Sequence, residues 1–473
     1  MIVTHRPRVP FSWLVWMTLP WAVVVLLANV NDQAVTYTIR KFITDPRAIS
    51  LLLSVNFISN VLVGAPVAFA SDHCWTRWGR RRPWLIASLL GTAVLLPLVP
   101  GVPSVVMLVP LILIMQAAID LATPLESLYF EVIPSPQRGR AVAVRTIVMT
   151  LTGIVFSTLL FANFDARYRL LLGRHLVLAF TGETVLYCAA ALLCVITAIF
   201  VITRTRETPV RPPIPPAPAI PRINPAAALR RFITDVFGDR RWYPVYLLYI
   251  VPILLQAGAG PFVPMLMIER FGFSKQQMVM ATMPATMLSV ALFMPLMGWL
   301  ADRVPRTVLI WCGIATQLVV ATVYWWYVSF GAPNGVPAWH TIMALSSVGA
   351  VCGAAVFVPF GALLFDCVPS NRMGTLSAGF GLLANALRVI LVNACGQFVA
   401  FYPRVRPSAA AAGPAPHDYA AVLLFQMLLA AAALIVFLVF LLLRRRGYVT
   451  NYAALELSSA HASAGGEPVV LPE

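Results

Sequence analysis

Asp120 and Arg388 each interrupt a long run of apolar residues near its midpoint. A charge at the centre of a bilayer costs about 3 kcal/mol on insertion scales, so such residues are functional candidates. A carboxylate there can bind a proton or accept a hydrogen bond from a solute hydroxyl. A guanidinium can hold a solute or stabilise an empty carboxylate. At about 1.5 Å per residue, both side chains fall near the bilayer midplane, and we predict that they serve one central site.

Four further residues within apolar runs are weaker candidates for contacts with a solute or a coupling ion. Glu126 and Arg145 lie at similar depth on consecutive segments and are predicted to pair, as a structural contact or as part of the site. For Glu183 we favour protonation or a bond to a neighbouring helix. Gln256 precedes the stretch AGAGP, a break that can line a cavity or allow close helix packing.

A polar stripe lies near the end of the first apolar run. Asn29, Asp32, Gln33 and Thr36 follow i, i+3, i+4, i+7 spacing and therefore share one face of a helix. The stripe fits a surface that contacts solute, and it fits equally a helix end that emerges into water.

The composition requires a membrane to position these residues. Of the 473 residues, 60% are hydrophobic and only 11% are charged, whereas soluble domains carry about 25% charged residues. Apolar runs of about 20 residues recur along the chain, and in lipid they must be helices. We predict an all-α membrane protein with twelve spans, over 11–36, 49–70, 84–100, 105–132, 141–163, 175–203, 242–268, 277–300, 307–330, 339–368, 376–402 and 419–443.

The basic residues predict the orientation. Most of the 34 Lys and Arg residues fall in alternate connections, which places both termini in the cytoplasm. This bias also accounts for most of the net charge of +16, so no nucleic-acid partner is expected. We expect the first span to be retained, because it has no small-residue cleavage site and is too long for a signal peptide.

Two halves of six helices are predicted on either side of a Pro-rich segment. The predicted organisation is a first bundle over 1–203, a cytoplasmic linker with a possible amphipathic helix over 204–241, a second bundle over 242–443 and a tail over 444–473. FEVIPSPQRG in the first half matches FDCVPSNRMG in the second, and AFASDHCW matches GWLADRVP. Matching connections in two six-helix halves indicate a duplicated transporter architecture.

The stretch SDHCWTRWGRRRPW, residues 71–84, carries the most specific resemblance. It resembles the loop between helices 2 and 3 of the major facilitator superfamily, and its form is similar to the sucrose/proton symporters and the glycoside–pentoside–hexuronide cation symporters. Ala68 and His73 depart from the usual Gly and Arg. The second copy, from Asp302 to Arg306, lacks the run of arginines. The resemblance implies the two-bundle fold and solute transport, with a sugar or glycoside as the solute class.

Charged residues at the predicted inner helix ends can close the cytoplasmic side of such a transporter. The alternative is that they only anchor the loops on that side. The predicted inner-gate network comprises Asp72, Arg80, Arg81, Glu131, Asp302, Arg303, Arg306 and Asp366.

The predicted function is secondary active transport of a small polar solute, coupled to a cation that we expect to be a proton. An exporter of drugs or metabolites and a non-transporting scaffold of the same fold remain open alternatives. No nucleotide-binding P-loop and no Cys/His metal spacing occur, so we expect no cofactor, metal or enzymatic activity. We expect a monomeric, multi-pass protein of the cell membrane.

Overall fold

The computed structural model describes residues 10–73, 76, 78–125, 128, 138–172, 176–205, 234, 236–256, 260–331, 337–368, 373–405, 417–450 and 452. Within these ranges, eleven helices are long and apolar enough to cross a membrane, and a shorter apolar helix, α4, accompanies them. In chain order they are α1 (Phe11–Arg40), α2 (Pro46–Ala68), α3 (Arg82–Gly101), α4 (Val105–Asp120), α5 (Val144–Asn163), α6 (Gly182–Arg204), α7 (Arg240–Arg270), α8 (Lys275–Ala301), α9 (Arg306–Gly331), α10 (Trp339–Leu364), α11 (Gly379–Tyr402) and α12 (Ala421–Arg445).

Some helical turns extend beyond these spans or change their winding within them. The α-helical turns of α5, α10 and α11 cover Arg138–Val155, Trp339–Asp366 and Met373–Val405. Among the described residues, π-helical turns occur in six of the spans, including Val30–Val35 in α1 and Asn60–Gly64 in α2. A π-turn holds one residue more than an α-turn and therefore shifts which side chains face a neighbouring helix.

A β-hairpin precedes α6, where the sequence analysis placed helix from residue 175. Strand β1 (Arg167–Leu172) pairs antiparallel with β2 (Leu176–Thr181). The β2 sequence LVLAFT contains Val, Phe and Thr, which favour strands. Thr181 then caps α6, because its hydroxyl accepts a hydrogen bond from the Thr184 amide at 3.3 Å. The predicted start of this helix is therefore wrong.

Glycine is required where the hairpin joins α6. The Gly182 amide donates to the Ala166 carbonyl at 2.7 Å. A Cβ at position 182 would lie 1.8 Å from the Asn163 carbonyl oxygen, which no side chain could tolerate. This close approach fixes the base of the hairpin to the last turn of α5.

The chain divides into two compact units. The first contains residues 1–212 together with Phe273–Val279, and the second contains Pro213–Gly272 and residues 280–473. In the first unit, α3 packs against α4 and α6, α2 packs against α4, and α1 packs against α5. The predicted linker boundaries stay a prediction, since residues 206–233 lie outside the described residues.

In the second unit, α9 packs against α10 and α12, and α7 packs against α12. Its core contains Tyr246 and Phe380, whose rings meet edge-on with centroids 5.2 Å apart. Tyr452 of the predicted tail stacks on Trp242 at 6.0 Å, so the described part of the tail packs on this core.

Candidate functional site

A chain of buried and half-buried amide and carboxylate side chains joins α1, α2 and α4 within the first unit. The amide nitrogen of Asn31 donates to Gln116 Oε1 at 2.9 Å, and Gln116 Nε2 donates to Asn56 Oδ1 at 2.6 Å. One turn further along both helices, Asn60 Nδ2 donates to Asp120 Oδ1 at 3.0 Å. These five residues are called the polar ladder below.

Two features of the helices form the ladder. They are the i, i+4 spacing of polar residues in α2 and α4 and the π-turns in α1 and α2. Asn56 and Asn60 are four residues apart on α2, as are Gln116 and Asp120 on α4, so each pair shares a helix face. Asn31 lies within the π-turn of α1, and Asn60 begins the π-turn of α2. Such turns are frequent at functional sites, and both lie at the ladder.

The close approach of α2 to α4 depends on Gly64. A Cβ at this position would lie 2.7 Å from Thr123 Oγ1 and 3.2 Å from Asn60 Nδ2. The Thr123 hydroxyl in turn donates to the Asp120 carbonyl at 2.6 Å. Glycine thus leaves the space in which Asn60 reaches the Asp120 carboxylate.

One oxygen of the Asp120 carboxylate is left without a partner. The residue is only 6% exposed, and Oδ2 makes no hydrogen bond to any described group. The Ser59 hydroxyl lies beside the carboxylate but forms no hydrogen bond of normal geometry with any described group. A buried carboxylate oxygen in this state is stabilised by a proton, a cation or a donor on a solute.

The predicted stripe on α1 forms two separate hydrogen-bonded pairs near Asn31 of the ladder. Gln33 Nε2 donates to Asn29 Oδ1 at 3.2 Å, and the Thr36 hydroxyl donates to the Asp32 carbonyl at 3.1 Å. The Asp32 residue is exposed and Asn29 is half-buried. The π-turn turns Asn31, which the spacing rule left out of the stripe, into the protein interior.

The predicted partner of Arg145 cannot be placed, because Glu126 lies outside the described residues. The Arg145 guanidinium instead lies 4.4 Å from the ring centroid of Trp21 on α1. This is a favourable cation–π geometry, and it holds the arginine within the first unit. The predicted pair with Glu126 stays a prediction.

Glu183 is held by α1, in keeping with the interpretation that it bonds to a neighbouring helix. It is 3% exposed and forms an ion pair with Lys41. The Thr38 hydroxyl donates to Glu183 Oε1 at 2.7 Å and lies 3.0 Å from the Tyr187 hydroxyl. Both carboxylate oxygens of Glu183 therefore have partners, whereas among the described residues Asp120 has a partner on Oδ1 alone.

The other predicted candidates lie in the second unit. Arg388 is half-buried in α11, and Gln256 is exposed at the end of the helical turns Tyr243–Gln256. The shared site of Asp120 and Arg388 stays a prediction. Within the described residues no cluster of His, Cys, Asp and Glu has the geometry to hold a metal ion.

The sequence profile described as Major Facilitator Superfamily matches residues 11–392. The chain belongs to the Major Facilitator Superfamily. It is a multi-pass membrane protein of a transporter superfamily, and the predicted resemblance is confirmed at this level. A search of curated proteins by sequence finds no match.

Solved structures of other superfamily members share the fold. The nucleoside transporter NupG matches with a TM-score of 0.61 at 15% identity over 90% of this chain and 99% of that chain. A bacterial homologue of the human lysosomal transporter Spinster, inward-facing and occupied, gives 0.63 at 13% identity over 92% and 96%. A D-xylose–proton symporter gives 0.60 at 15% identity over 89% and 97%.

In this superfamily member, the first of the two matching arginine loops ties α3 to α6. Arg82 Nη2 donates to the carbonyls of Val201 and Ile202, at 3.0 and 2.7 Å, in the last turns of α6. A cation is favoured there by the negative end of the helix dipole. Arg81 is buried and Arg80 is half-buried.

The second arginine loop uses a different partner. Arg306 at the start of α9 forms an ion pair with Asp366 at the end of α10, a pair within the predicted network. Arg303 lies 3.9 Å from the ring centroid of Trp299, and Asp302 is exposed. Glu131 and the side chain of Asp72 lie outside the described residues.

Sequence reasoning missed most of the ladder. Asn31, Asn56, Asn60 and Gln116 are amides in apolar helices, and the search for ionisable residues passed over them. The i, i+4 spacing of polar residues is the sequence signal that would have identified Asn56 with Asn60 in α2, and Gln116 with Asp120 in α4. The pairing of those helices and the π-turns are visible only in the structure.

Proposed function

We propose that this protein is a secondary active transporter that moves a small polar solute, a sugar or glycoside, in symport with protons by alternating access. The observation that carries the proposal is Oδ2 of Asp120, a buried carboxylate oxygen that forms no hydrogen bond of normal geometry with the described part of the first unit. An ionisable residue buried in this way within a spanning helix is a candidate to bind a proton or a solute hydroxyl.

The coupling ion follows from the chemistry of the ladder. Among the described residues no Lys or Arg forms an ion pair with Asp120. Its neighbours are the neutral side chains of Asn60 and Ser59. A proton neutralises the carboxylate without requiring the several oxygen ligands that a metal cation needs. Protonation also converts Oδ2 into a donor, which changes what it can bind.

The solute class rests on the resemblance of residues 71–84 to sugar symporters. The similar structures include a D-xylose–proton symporter and a nucleoside transporter, whose solutes are rich in hydroxyl groups. Their sequence identity of 15% supports the fold, and the solute comes from the resemblance and the polar ladder.

The proposed topology has twelve spans, with α4 and the segment after it completing the fourth. Both termini lie in the cytoplasm, the two bundles are joined by the cytoplasmic segment 204–241, and the protein is a monomer. A cysteine accessibility scan of the termini and of the hairpin in sealed vesicles tests this topology. Labelling of the hairpin and the termini from the same side would contradict it.

The proposed roles of the charged residues follow the same scheme. Asp120 binds the proton or a solute hydroxyl, and Arg388 holds solute or stabilises the empty carboxylate. Glu126, Arg145, Asp32, Asn29, Gln256 and Glu183 are the secondary candidates. The inner-gate network closes the cytoplasmic side, so Asp72→Arg is expected to slow transport while the protein stays in the membrane; an unchanged transport rate would refute this role.

Solute-driven proton movement in proteoliposomes tests the function. A panel of sugars is added to vesicles that contain a pH-sensitive dye, and inward proton flow with one of them supports symport. Proton flow opposite to solute movement would establish the exporter alternative. Absence of any solute-dependent flux with the panel, together with no binding, would favour a scaffold.

The Asp120→Asn variant separates coupling from binding. It should abolish accumulation against a gradient yet permit solute exchange, because exchange requires no net proton step. Arg388→Gln should weaken both. The matched control is Asp45→Asn, the same chemical change at an exposed carboxylate that caps α2. Normal concentrative uptake by both Asp120→Asn and Arg388→Gln would refute the proposed roles of these two residues.

A further inference from the structure

Lys275 begins α8 in a position that helix energetics disfavour. The helix starts with a capping box, in which the Ser274 amide donates to Gln277 Oε1 at 2.9 Å and the Gln277 amide donates to Ser274 Oγ at 3.1 Å. The positive end of the helix dipole lies at this terminus, so a cation in the first turn is unfavourable there. Some other interaction must therefore stabilise Lys275.

The stabilising surface belongs to the first unit. Lys275 Nζ lies 4.0 Å from the ring centroid of Phe164, 4.8 Å from that of Tyr37 and 6.0 Å from that of Phe161. The fourth contact is an ion pair to Asp165 Oδ1 at 2.7 Å. These three rings and this carboxylate are called the lysine cage.

The cage is preorganised by its own packing. The rings of Tyr37 and Phe161 lie 5.7 Å apart, and those of Phe161 and Phe164 lie 6.0 Å apart. Phe156 stacks on Phe161 at 6.2 Å and is fully buried. Since the rings are held by one another, the cage does not have to be assembled around the ammonium.

The rings contribute more than the carboxylate does. The Asp165 side chain is 75% exposed, and an ion pair with such a partner contributes little. The Lys275 side chain is only 9% exposed, and cation–π contacts strengthen as the cation is desolvated. A lysine that is buried against three rings is consequently held chiefly by the aromatic groups.

The first turn of α8 belongs to the same compact unit as the rest of the cage. Residues 273–279 group with the first unit, and the rest of α8 groups with the second. Lys275 is the charged residue of that short segment. Its contacts with α1 and with the end of α5 therefore retain the segment in the first unit.

We propose that Lys275 is a positioning residue: its ammonium, held by the three rings of the lysine cage, fixes residues 273–279 against α1 and the end of α5 within the first unit. The proposal rests on the geometry of the cage. It does not depend on the identity of the solute or of the coupling ion, so it can fail or succeed independently of the proposed function.

Thiol labelling of the full chain in detergent solution tests the proposal without any solute. Val279, buried in the same segment, is replaced by Cys as a reporter, and Cys74, Cys188 and Cys312 are replaced by Ser. Lys275→Gln is expected to raise the maleimide labelling rate of Val279→Cys about tenfold, which corresponds to about 1.4 kcal/mol. Lys275→Arg should keep the rate near that of the parent, because guanidinium also binds aromatic faces.

Three controls separate the cage from charge and from folding. Arg167→Gln removes one exposed cation from β1 and should leave the rate unchanged. Phe164→Leu keeps an apolar side chain but removes a ring, and should raise the rate as Lys275→Gln does. Cys395 is fully buried in α11 and reports unfolding, so its labelling should stay slow in every variant.

Several outcomes would overturn the proposal. An unchanged rate in Lys275→Gln or in Phe164→Leu would exclude the cage as the restraint. A full increase with Asp165→Asn would assign the restraint to the ion pair. A parallel increase at Cys395 would show that the variants act on folding rather than on the position of α8.

Discussion

The polar ladder and the Lys41–Glu183 pair both place a carboxylate inside the first unit, and they satisfy it differently. Glu183 has a lysine, a threonine hydroxyl and the nearby Tyr187 hydroxyl around it. Asp120 has the Asn60 amide on one oxygen, and its other oxygen forms no hydrogen bond with any residue that the structure describes. A carboxylate that already has its cation gains little from a proton. The comparison therefore favours Asp120 over Glu183 as the proposed coupling residue and ranks Glu183 as the weaker candidate.

The largest expected difference is in coupled transport. Asp120→Asn should reduce accumulation to the background of empty vesicles, whereas Glu183→Gln should retain most of it, because only the first variant removes an unsatisfied acid. Accumulation of the transported solute along an imposed pH gradient measures both. Equal losses of solute accumulation in the two variants would contradict the different roles of Asp120 and Glu183.

The next largest effect is expected from the helix contact that shapes the ladder. Gly64→Ala should destabilise the protein by about 1–3 kcal/mol, the range for overpacking a tight site, and should also impair transport, because a Cβ would displace Thr123 or Asn60. Thermal unfolding in detergent measures the loss. Gly349→Ala in α10 is the matched control, since a Cβ there meets no atom within 4 Å; a similar loss in the control would contradict the contact argument.

A smaller effect is expected on stability. Glu183→Gln should lose more stability than Asp120→Asn, which reverses the order expected for transport. Glu183→Gln should lower the unfolding free energy by about 1–2 kcal/mol, because it removes the partner of Lys41, which is itself half exposed and still hydrated. Asp120→Asn should lower the unfolding free energy by less than Glu183→Gln does, because the new amide oxygen can still accept the hydrogen bond from Asn60 and no partner charge is left unpaired. Chemical unfolding of both variants measures the difference, and a greater loss in Asp120→Asn would reverse the assignment.

The smallest effect extends the comparison to a paired carboxylate of the second unit. Asp366 and Arg306 are both partly exposed, so Arg306→Gln should cost less than about 1 kcal/mol. Cys367 beside this pair reports the change. Burial raises the pKa of its thiol to about 11, so labelling should be slow at pH 7 and should rise with pH toward that value, since the thiolate is the reactive form.

Arg306→Gln is expected to increase the labelling of Cys367 only about two- to fivefold, in line with a weak, solvent-screened pair. The variant Cys367→Ser identifies the labelled residue. A far larger increase would show that the pair restrains this end of α10 more strongly than exposed ion pairs do.

Much of the helical plan follows from the sequence, because apolar runs of sufficient length leave the backbone no alternative in lipid. Asp120 was also found this way, since a charge within such a run is rare enough to stand out. The hairpin before α6 was not predicted, because its Leu-rich sequence resembles the beginning of an apolar helix. The arrangement of the polar residues of α1 was not predicted either. Regular helical spacing assigned Asp32 to the polar stripe, whereas Asn31, which lies in the π-turn, is the residue that joins the polar ladder.

The sequence by itself determined that this chain spans a membrane repeatedly, that it belongs to a superfamily of transporters, and which charges lie deep within its helices. These properties depend on composition and local periodicity, which each segment carries alone. Only the tertiary structure decided which of those charges are satisfied. Lys41 reaches Glu183 over 142 positions of sequence and Asn60 reaches Asp120 over 60, and the free energy of a buried charge depends on such partners rather than on its neighbours in the chain.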